Sequence, residues 1–183
     1  MHDDWPDGNP RGKVRVLEAV SIDPVSTREL WRFIFGIDLI ESVQSHFLPI
    51  DHPLQYMLAD PRRMSKKFSD NLWLRVIDIP EALKARSFST SDAVTFGVED
   101  DLLSGNTGTW RLDTTTDNVT VTKVNDAPEV TMHMRELGAA YLGGTRFSEL
   151  QNAGRVHELT EGAVRRLDLL FAADRAPWCP EIF

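Results

Sequence analysis

The sequence contains a single cysteine, Cys179, among its 183 residues. One thiol cannot form an internal disulfide, and it cannot build a metal site that requires several thiolates. No apolar run approaches the roughly 20 residues that a transmembrane helix needs. The first eight residues are acidic, whereas a signal peptide begins with basic residues followed by an apolar stretch. We therefore expect a cytoplasmic protein with no disulfide and no membrane partner.

Positive charge is also scarce, because 20 Lys and Arg residues face 28 Asp and Glu residues and give a formal net charge of −8. Such a chain repels the phosphates of nucleic acid, which argues against nucleic acid as a partner. It suits a cationic substrate, although a mildly acidic surface also serves solubility alone. The five histidines show no metal-ligand spacing, so we expect no metal site and place His133 on a strand as a packed or edge residue.

Two common catalytic motifs are missing. Residues 138–145 resemble a phosphate-binding G-x-x-x-x-G-K-[ST] loop, but Gly144 stands where that loop needs a lysine, and the segment follows a helix. A helix C-cap explains these glycines better. No G-x-S-x-G elbow is present, so a serine hydrolase has no support.

The residues that are present predict an α+β fold. Hydrophobic residues make up 42% of the chain, which is enough for a core. We divide the chain into a linker at 1–12, a first module at 13–77 and a second at 78–183. In the first, a helix at 28–40 is apolar on several sides, and the apolar run at 71–78 predicts a strand covered on both faces. In the second, an antiparallel meander at 94–134 precedes helices.

The C-terminal tail is unusual because frayed tails are normally small and polar. It carries Trp178, Ile182 and Phe183. Exposing these side chains would forfeit about 1.5–3 kcal/mol each relative to burial, so we expect the tail to be docked. Two roles for docking are open: it only covers the core, or it also gives the α-carboxylate of Phe183 a defined place.

Several long runs resemble one family. Residues 29–34 (ELWRFI), 53–62 (PLQYMLADPR) and 71–83 (NLWLRVIDIPEAL) are similar to the Eis-type (enhanced intracellular survival) N-acetyltransferases. The similarity continues at 108–112 (GTWRL), at 136–144 (ELGAAYLGG) and in the ending from Pro177 to Phe183. It covers the chain from about Val14 onward, in the family's order.

The resemblance implies the fold and the cofactor arrangement. Family members contain a GNAT (GCN5-related N-acetyltransferase) region that binds acetyl-CoA, then a degenerate GNAT-like region, and then a region resembling sterol carrier protein 2 (SCP2). This chain resembles the last two: a half-GNAT-like module at 13–77, followed by an SCP2-like antiparallel sheet flanked by helices at 78–183. We therefore expect the chain to bind no cofactor itself, with acetyl-CoA held by the first region of a longer parent.

The resemblance also implies a function. In the family, the C-terminal carboxylate acts as general base toward the substrate amine, and here it belongs to Phe183. Glu181 and Trp178 are candidate substrate contacts. The implied partners are the GNAT region, a cationic amine (an aminoglycoside, a polyamine or a lysine) and further copies in a hexamer. Alternatives are a lipid or sterol carrier, which the SCP2-like region suggests, and an oligomerisation scaffold.

Overall fold

The computed structural model describes residues 11–181, which form two compact units. The first contains the described residues up to Asn71 together with the tail from Trp178, and the second is Leu72–Pro177. Both α-helices and β-sheets are present, in agreement with the predicted α+β class. Across the described residues, no helix combines the length and apolar character needed to cross a membrane. The boundary predicted after residue 77 separates two regions of the sequence, and it stays a prediction. The compact units of the structure are divided at a different point, between Asn71 and Leu72.

The first unit is built around a β-α-β arrangement. Strands β1 (Gly12–Val16) and β2 (Ile40–Ser45) pair in parallel, and helix α1 (Pro24–Phe35) connects them, because parallel neighbours need a crossover. The Asp23 carboxylate accepts hydrogen bonds from the backbone N–H groups of Val25 and Ser26 and so caps the helix. A short helix, α2 (Leu54–Met57), and a 3₁₀ turn, Pro61–Arg63, follow.

The core of the first unit is small. Four hydrophobic residues are buried in it: Val16, Trp31, Ile34 and Leu54. Helix α1 therefore buries one stripe, and the burial predicted on several sides is wrong for this chain. Phe33 is 71% exposed and Val25 is 60% exposed, whereas the buried side chains of α1, Thr27, Trp31 and Ile34, follow one stripe of the helix.

The second unit contains a five-stranded sheet and four helices. In chain order the elements are α3 (Ile79–Lys84), β3 (Ala93–Glu99), β4 (Gly108–Asp113), β5 (Thr120–Val124), β6 (Val130–His133), α4 (Met134–Ala140), α5 (Phe147–Asn152), β7 (Val156–Glu158) and α6 (Ala163–Phe171). The strand order is β5-β4-β3-β6-β7. All pairs are antiparallel except β3–β6. The predicted meander is therefore right for β3 to β5, whereas β6 joins the other edge of β3.

A single large core holds the second unit together. It contains 22 buried hydrophobic residues: Val76 and 21 others, which come from all five strands and all four helices. Val164, Leu167, Leu170 and Phe171 line the buried face of α6, as the spacing predicts. Alternate residues of β4, Trp110 and Leu112, point inward in the same way.

The predicted strand at 71–78 is not formed. The structure assigns no strand to this segment, and residues 72–77 belong to no sheet. Its side chains are also not covered on both faces: Trp73 is 82% exposed and Ile77 is 61% exposed, while Val76 is buried. The sequence pattern requires a strand partner on each side, and the described residues do not supply one.

Candidate functional site: the docked C-terminal tail

The tail is fastened to the first unit by hydrogen bonds to its backbone. The side-chain amide of Asn71 donates to the carbonyl oxygen of Cys179 at 2.6 Å and to that of Glu181 at 3.0 Å. The indole Nε1 of Trp178 donates to the carbonyl oxygen of Phe47 at 2.5 Å. These contacts hold residues 178–181 in one position relative to β2, which ends two residues before Phe47. We call Asn71 and Phe47 the tail clamp.

Phe47 has a backbone conformation that suits this role. Its φ of 56° is in the left-handed region, which costs non-glycine residues energy and is frequent where function or a special contact constrains the chain. The residue lies two positions after the end of β2, so the left-handed turn redirects the chain and its carbonyl group just beyond the strand. That carbonyl oxygen is then available to the indole of Trp178.

The predicted site residues fall in and beside the clamp. Trp178 and Glu181 lie together on the first unit, and Glu181 is held by its backbone carbonyl, so its exposed side chain keeps its carboxylate for other partners. Trp178 remains 42% exposed. The Sγ of Cys179 lies 3.7 Å from the Glu181 carbonyl oxygen, as a local contact. Phe183, the predicted general base, lies outside the described residues.

Sequence reasoning did not identify Asn71 or Phe47. Asn71 acts on a residue 108 positions away, and no local pattern reports such a contact. The available signal is its chemistry: an asparagine amide carries two N–H donors and can bind two carbonyl oxygens at once.

The histidine in the core of the first unit does not contribute a base to the tail. His52 packs edge-on against Trp31, with ring centroids 5.6 Å apart, and its Nδ1 accepts a hydrogen bond from the backbone of Leu54. Burial lowers its pKa and outweighs the opposing charge of Asp51. The ring is therefore neutral at pH 7, and Nδ1 is occupied.

The N-terminus of α1 does not suit the pyrophosphate of acetyl-CoA. A helix N-terminus binds a pyrophosphate when its N–H groups are free and no negative charge is close. In the β1–α1 connection, the Asp23 carboxylate already occupies the N–H groups of Val25 and Ser26. The hydrogen bond from the Ser26 hydroxyl, together with those from the two N–H groups, lowers the pKa of Asp23, so it is charged at pH 7. An anion at this helix end would meet another anion.

Metal ligands do not come together either. Within residues 11–181, no three His, Cys, Asp or Glu side chains form a group that could hold a metal ion. His133 lies at the end of β6, where its Nε2 is 3.2 Å from a carboxylate oxygen of Glu99. It is half-exposed at the end of an interior strand, because β6 lies between β3 and β7.

Comparison with known families assigns both parts of the chain. The profile of the sterol carrier protein domain matches residues 79–180, and that of an acetyltransferase (GNAT) domain matches residues 2–76. The chain thus belongs to the sterol carrier protein domain family, joined here to a GNAT-type domain.

Individual relatives make the relationship more specific. An uncharacterized N-acetyltransferase of Streptomyces coelicolor is 36% identical over 179 residues, which are 98% of this chain and 43% of the relative. The N-acetyltransferase Eis of Mycobacterium tuberculosis is 32% identical over 163 residues, 88% of this chain and 39% of Eis. The crystal structure of Eis1 from Mycobacterium abscessus superimposes with a TM-score of 0.82 at 28% identity, covering 93% of this chain and 43% of that chain.

These matches relate the chain to the Eis-type N-acetyltransferases and support the predicted fold, a GNAT-like part followed by a sterol carrier protein domain. The chain spans less than half the length of the relatives it matches.

Proposed function

We propose that this chain is the substrate-side part of an acetyl-CoA-dependent amine N-acetyltransferase and is inactive without a GNAT region that holds acetyl-CoA. The observation that carries the proposal is the tail clamp, in which Asn71 and Phe47 fix residues 178–181. A clamped tail can present the α-carboxylate of Phe183, two residues beyond Glu181, at a constant place. A freely moving tail could not serve as a general base.

The chemistry requires such a group. A primary amine is protonated at neutral pH and must lose a proton before it attacks the acetyl thioester. An α-carboxylate has an ordinary pKa of about 3.3–3.7, so it is ionised and can hold the ammonium group or accept its proton. The exposed carboxylate of Glu181 and the net charge of −8 favour a substrate with several positive charges, such as a polyamine or an aminoglycoside.

The first unit has a surface that such a partner would cover. Helix α1 exposes Phe33 and Val25, and the preceding loop exposes Ile22 at 93%. Exposed apolar surface of this kind marks interaction sites. A GNAT region packed against this surface, within an oligomer such as the predicted hexamer, would account for the exposed apolar side chains.

The test uses a fusion protein in which the part of the Streptomyces coelicolor relative that this chain does not cover precedes the 183 residues. Thiol release from acetyl-CoA is followed with spermidine and with kanamycin as acceptors. We expect the fusion protein to acetylate at least one of them and the chain alone to acetylate neither. Adding one glycine after Phe183 moves the carboxylate by about 3.5 Å while keeping every side chain, and we expect kcat to fall about 100-fold or more.

The matched control is Glu181→Gln, which removes a charge but leaves the terminal carboxylate in place. We expect it to raise KM for the more highly charged acceptor and to change kcat little. If the glycine-extended fusion protein keeps full activity, Phe183 is not the general base. If the 183-residue chain alone acetylates an amine, the proposed dependence on a GNAT region is wrong.

A lipid carrier function is less well supported. A groove of about 610 Å³ in the second unit is lined mainly by polar side chains, among them Lys84, Ser89, Thr114 and Asp117, with Phe88 and Val119 as apolar members. Such a lining does not suit an apolar sterol. Mass spectrometry of the purified chain is expected to find no co-purified lipid, and a stoichiometric lipid would restore this alternative.

A further inference from the structure

Residues 72–77 are an apolar segment whose backbone is unpaired. Among the described residues, none of their backbone N–H groups donates a hydrogen bond, and of their carbonyl groups only that of Ile77 accepts one, from the Asn106 amide at 3.0 Å. Proteins pair nearly all backbone groups that are buried, so a partner that covers this apolar segment must also supply hydrogen bonds to its backbone. An unpaired row of donors and acceptors is the template for another strand.

The side chains of residues 72–77 also indicate that the segment lacks a partner. Leu72 is 56% exposed, Trp73 82%, Leu74 38% and Ile77 61%. A near-continuous apolar run is typical of a strand in a sheet with both faces covered, and not of a surface loop. Four large apolar side chains in six residues form a patch of the kind that marks an interaction site.

One side of the segment is already held in place. Val76 is buried in the core of the second unit, and the Arg75 guanidinium pairs with Asp100. Helix α4 comes close because residue 138 is glycine: a Cβ at this position would lie 3.1 Å from the carbonyl oxygen of Leu74. These contacts reduce the conformational entropy that the segment would lose on pairing with a strand.

The family match indicates which sheet the segment belongs to. The GNAT profile ends at residue 76, so residues 72–76 are the last part of that match, although they pack with the second unit. The described GNAT-like part has only the two-stranded sheet β1–β2, and isolated two-stranded sheets are marginal at best. The matched relatives are more than twice as long as the aligned region, so they contain enough polypeptide to supply further strands.

We propose that residues 72–77 form a β-strand that pairs with an edge strand of the GNAT polypeptide contributing the acetyl-CoA site. The inference rests on the proposed function for the identity of this partner. Pairing satisfies the free backbone groups, as in strand addition to a sheet edge, and it covers Trp73 and its apolar neighbours. The segment would join the sterol carrier protein domain to the GNAT sheet.

The experiment is residue-resolved hydrogen exchange of the 183-residue chain and of the fusion protein described above. In the chain alone at dilute concentration, we expect the amides of residues 72–77 to exchange close to the rate of an unstructured peptide. In the fusion protein, at least alternate amides of the segment should slow about 100-fold or more, because alternate N–H groups point to a neighbouring strand. The same protection is expected at the equivalent segment of the full-length Streptomyces coelicolor relative, which provides the test if the fusion protein does not fold.

A pair of variants checks the role of the side chains. Trp73→Lys should reduce the protection of the segment in the fusion protein at least tenfold. Leu102→Lys changes a similarly exposed side chain outside the segment and should leave it unchanged. In the isolated chain both variants should unfold like the parent.

Several results would overturn the inference. Slow exchange of the segment in the dilute isolated chain would mean that it is already paired, and slowing that accompanies dimer formation would identify a second copy as the partner. Fast exchange in an active fusion protein would reject the strand while leaving the proposed function intact. Protection in a fusion protein that acetylates no amine would retain the strand and reject the function.

Discussion

At the scale of single residues, Asp100 organises the turn between β3 and β4. Its carboxylate accepts hydrogen bonds from the backbone N–H groups of Leu102 at 2.9 Å and Leu103 at 3.0 Å, and from the Asn106 amide at 2.9 Å. It also pairs with Arg75. Burial alone would raise the pKa of this carboxyl group, but these hydrogen bonds and the charge of Arg75 outweigh burial and lower the pKa from 3.8 to about 2.

The lowered pKa predicts how stability depends on pH. Because the folded-state pKa is below the unfolded one, the carboxylate stabilises the fold above pH 3.8, and this contribution is lost as the pH falls toward 2. Asp100→Asn should lower the free energy of unfolding at pH 7 by about 1–3 kcal/mol. Its stability should also change less than the parent's between pH 4 and 2, as urea unfolding at several pH values would measure. Asp101→Asn, whose side chain is 91% exposed, is the control, and parallel pH profiles for parent and Asp100→Asn would contradict the assignment.

At the scale of elements, the tail depends on the tail clamp for its position. Asn71→Ala removes both hydrogen bonds to the Cys179 and Glu181 carbonyl groups, each worth about 0.5–1.5 kcal/mol. We expect backbone exchange at residues 178–181 to accelerate about tenfold, and in the fusion protein kcat should fall if the tail carries the general base. Asn125→Ala, in the loop before β6, should change neither quantity. Unchanged exchange in Asn71→Ala would show that the clamp does not hold the tail.

The elements also show what the sequence could predict. The stripe of α6 and the alternation along β4 follow from local periodicity, so the sequence predicts them correctly. The parallel partner of β6 and the clamp residue Asn71 depend on contacts between distant positions, which periodicity does not report. Residues 72–77 have the sequence pattern of a covered strand but form no strand ladder in the described chain. The pattern indicates the environment that the segment needs, but it does not indicate which polypeptide supplies the partner strand.

At the scale of the whole molecule, the two units differ in the size of their cores. The first buries four hydrophobic residues in its core and the second buries 22. Because burial of apolar surface provides most of the stabilisation, we expect the isolated chain to unfold in two steps, with amides of β1 and β2 exchanging before those of β3 and β4. Trp31→Ala should lower only the first transition, measured by calorimetry, and Phe96→Ala only the second. A single transition shifted equally by both variants would mean that the units unfold cooperatively.

The clamp between Asn71 and the tail has a consequence for how the chain folds. The contact closes a loop of more than a hundred residues, and closing so long a loop in an unfolded chain costs entropy. Once the intervening unit has folded, its ends are fixed and the effective concentration of the tail at its binding surface is set by that unit. We therefore expect the tail to dock late in folding. A substitution that destabilises the second unit should weaken the hydrogen bonds between Asn71 and the tail, even when the substituted residue does not contact the tail.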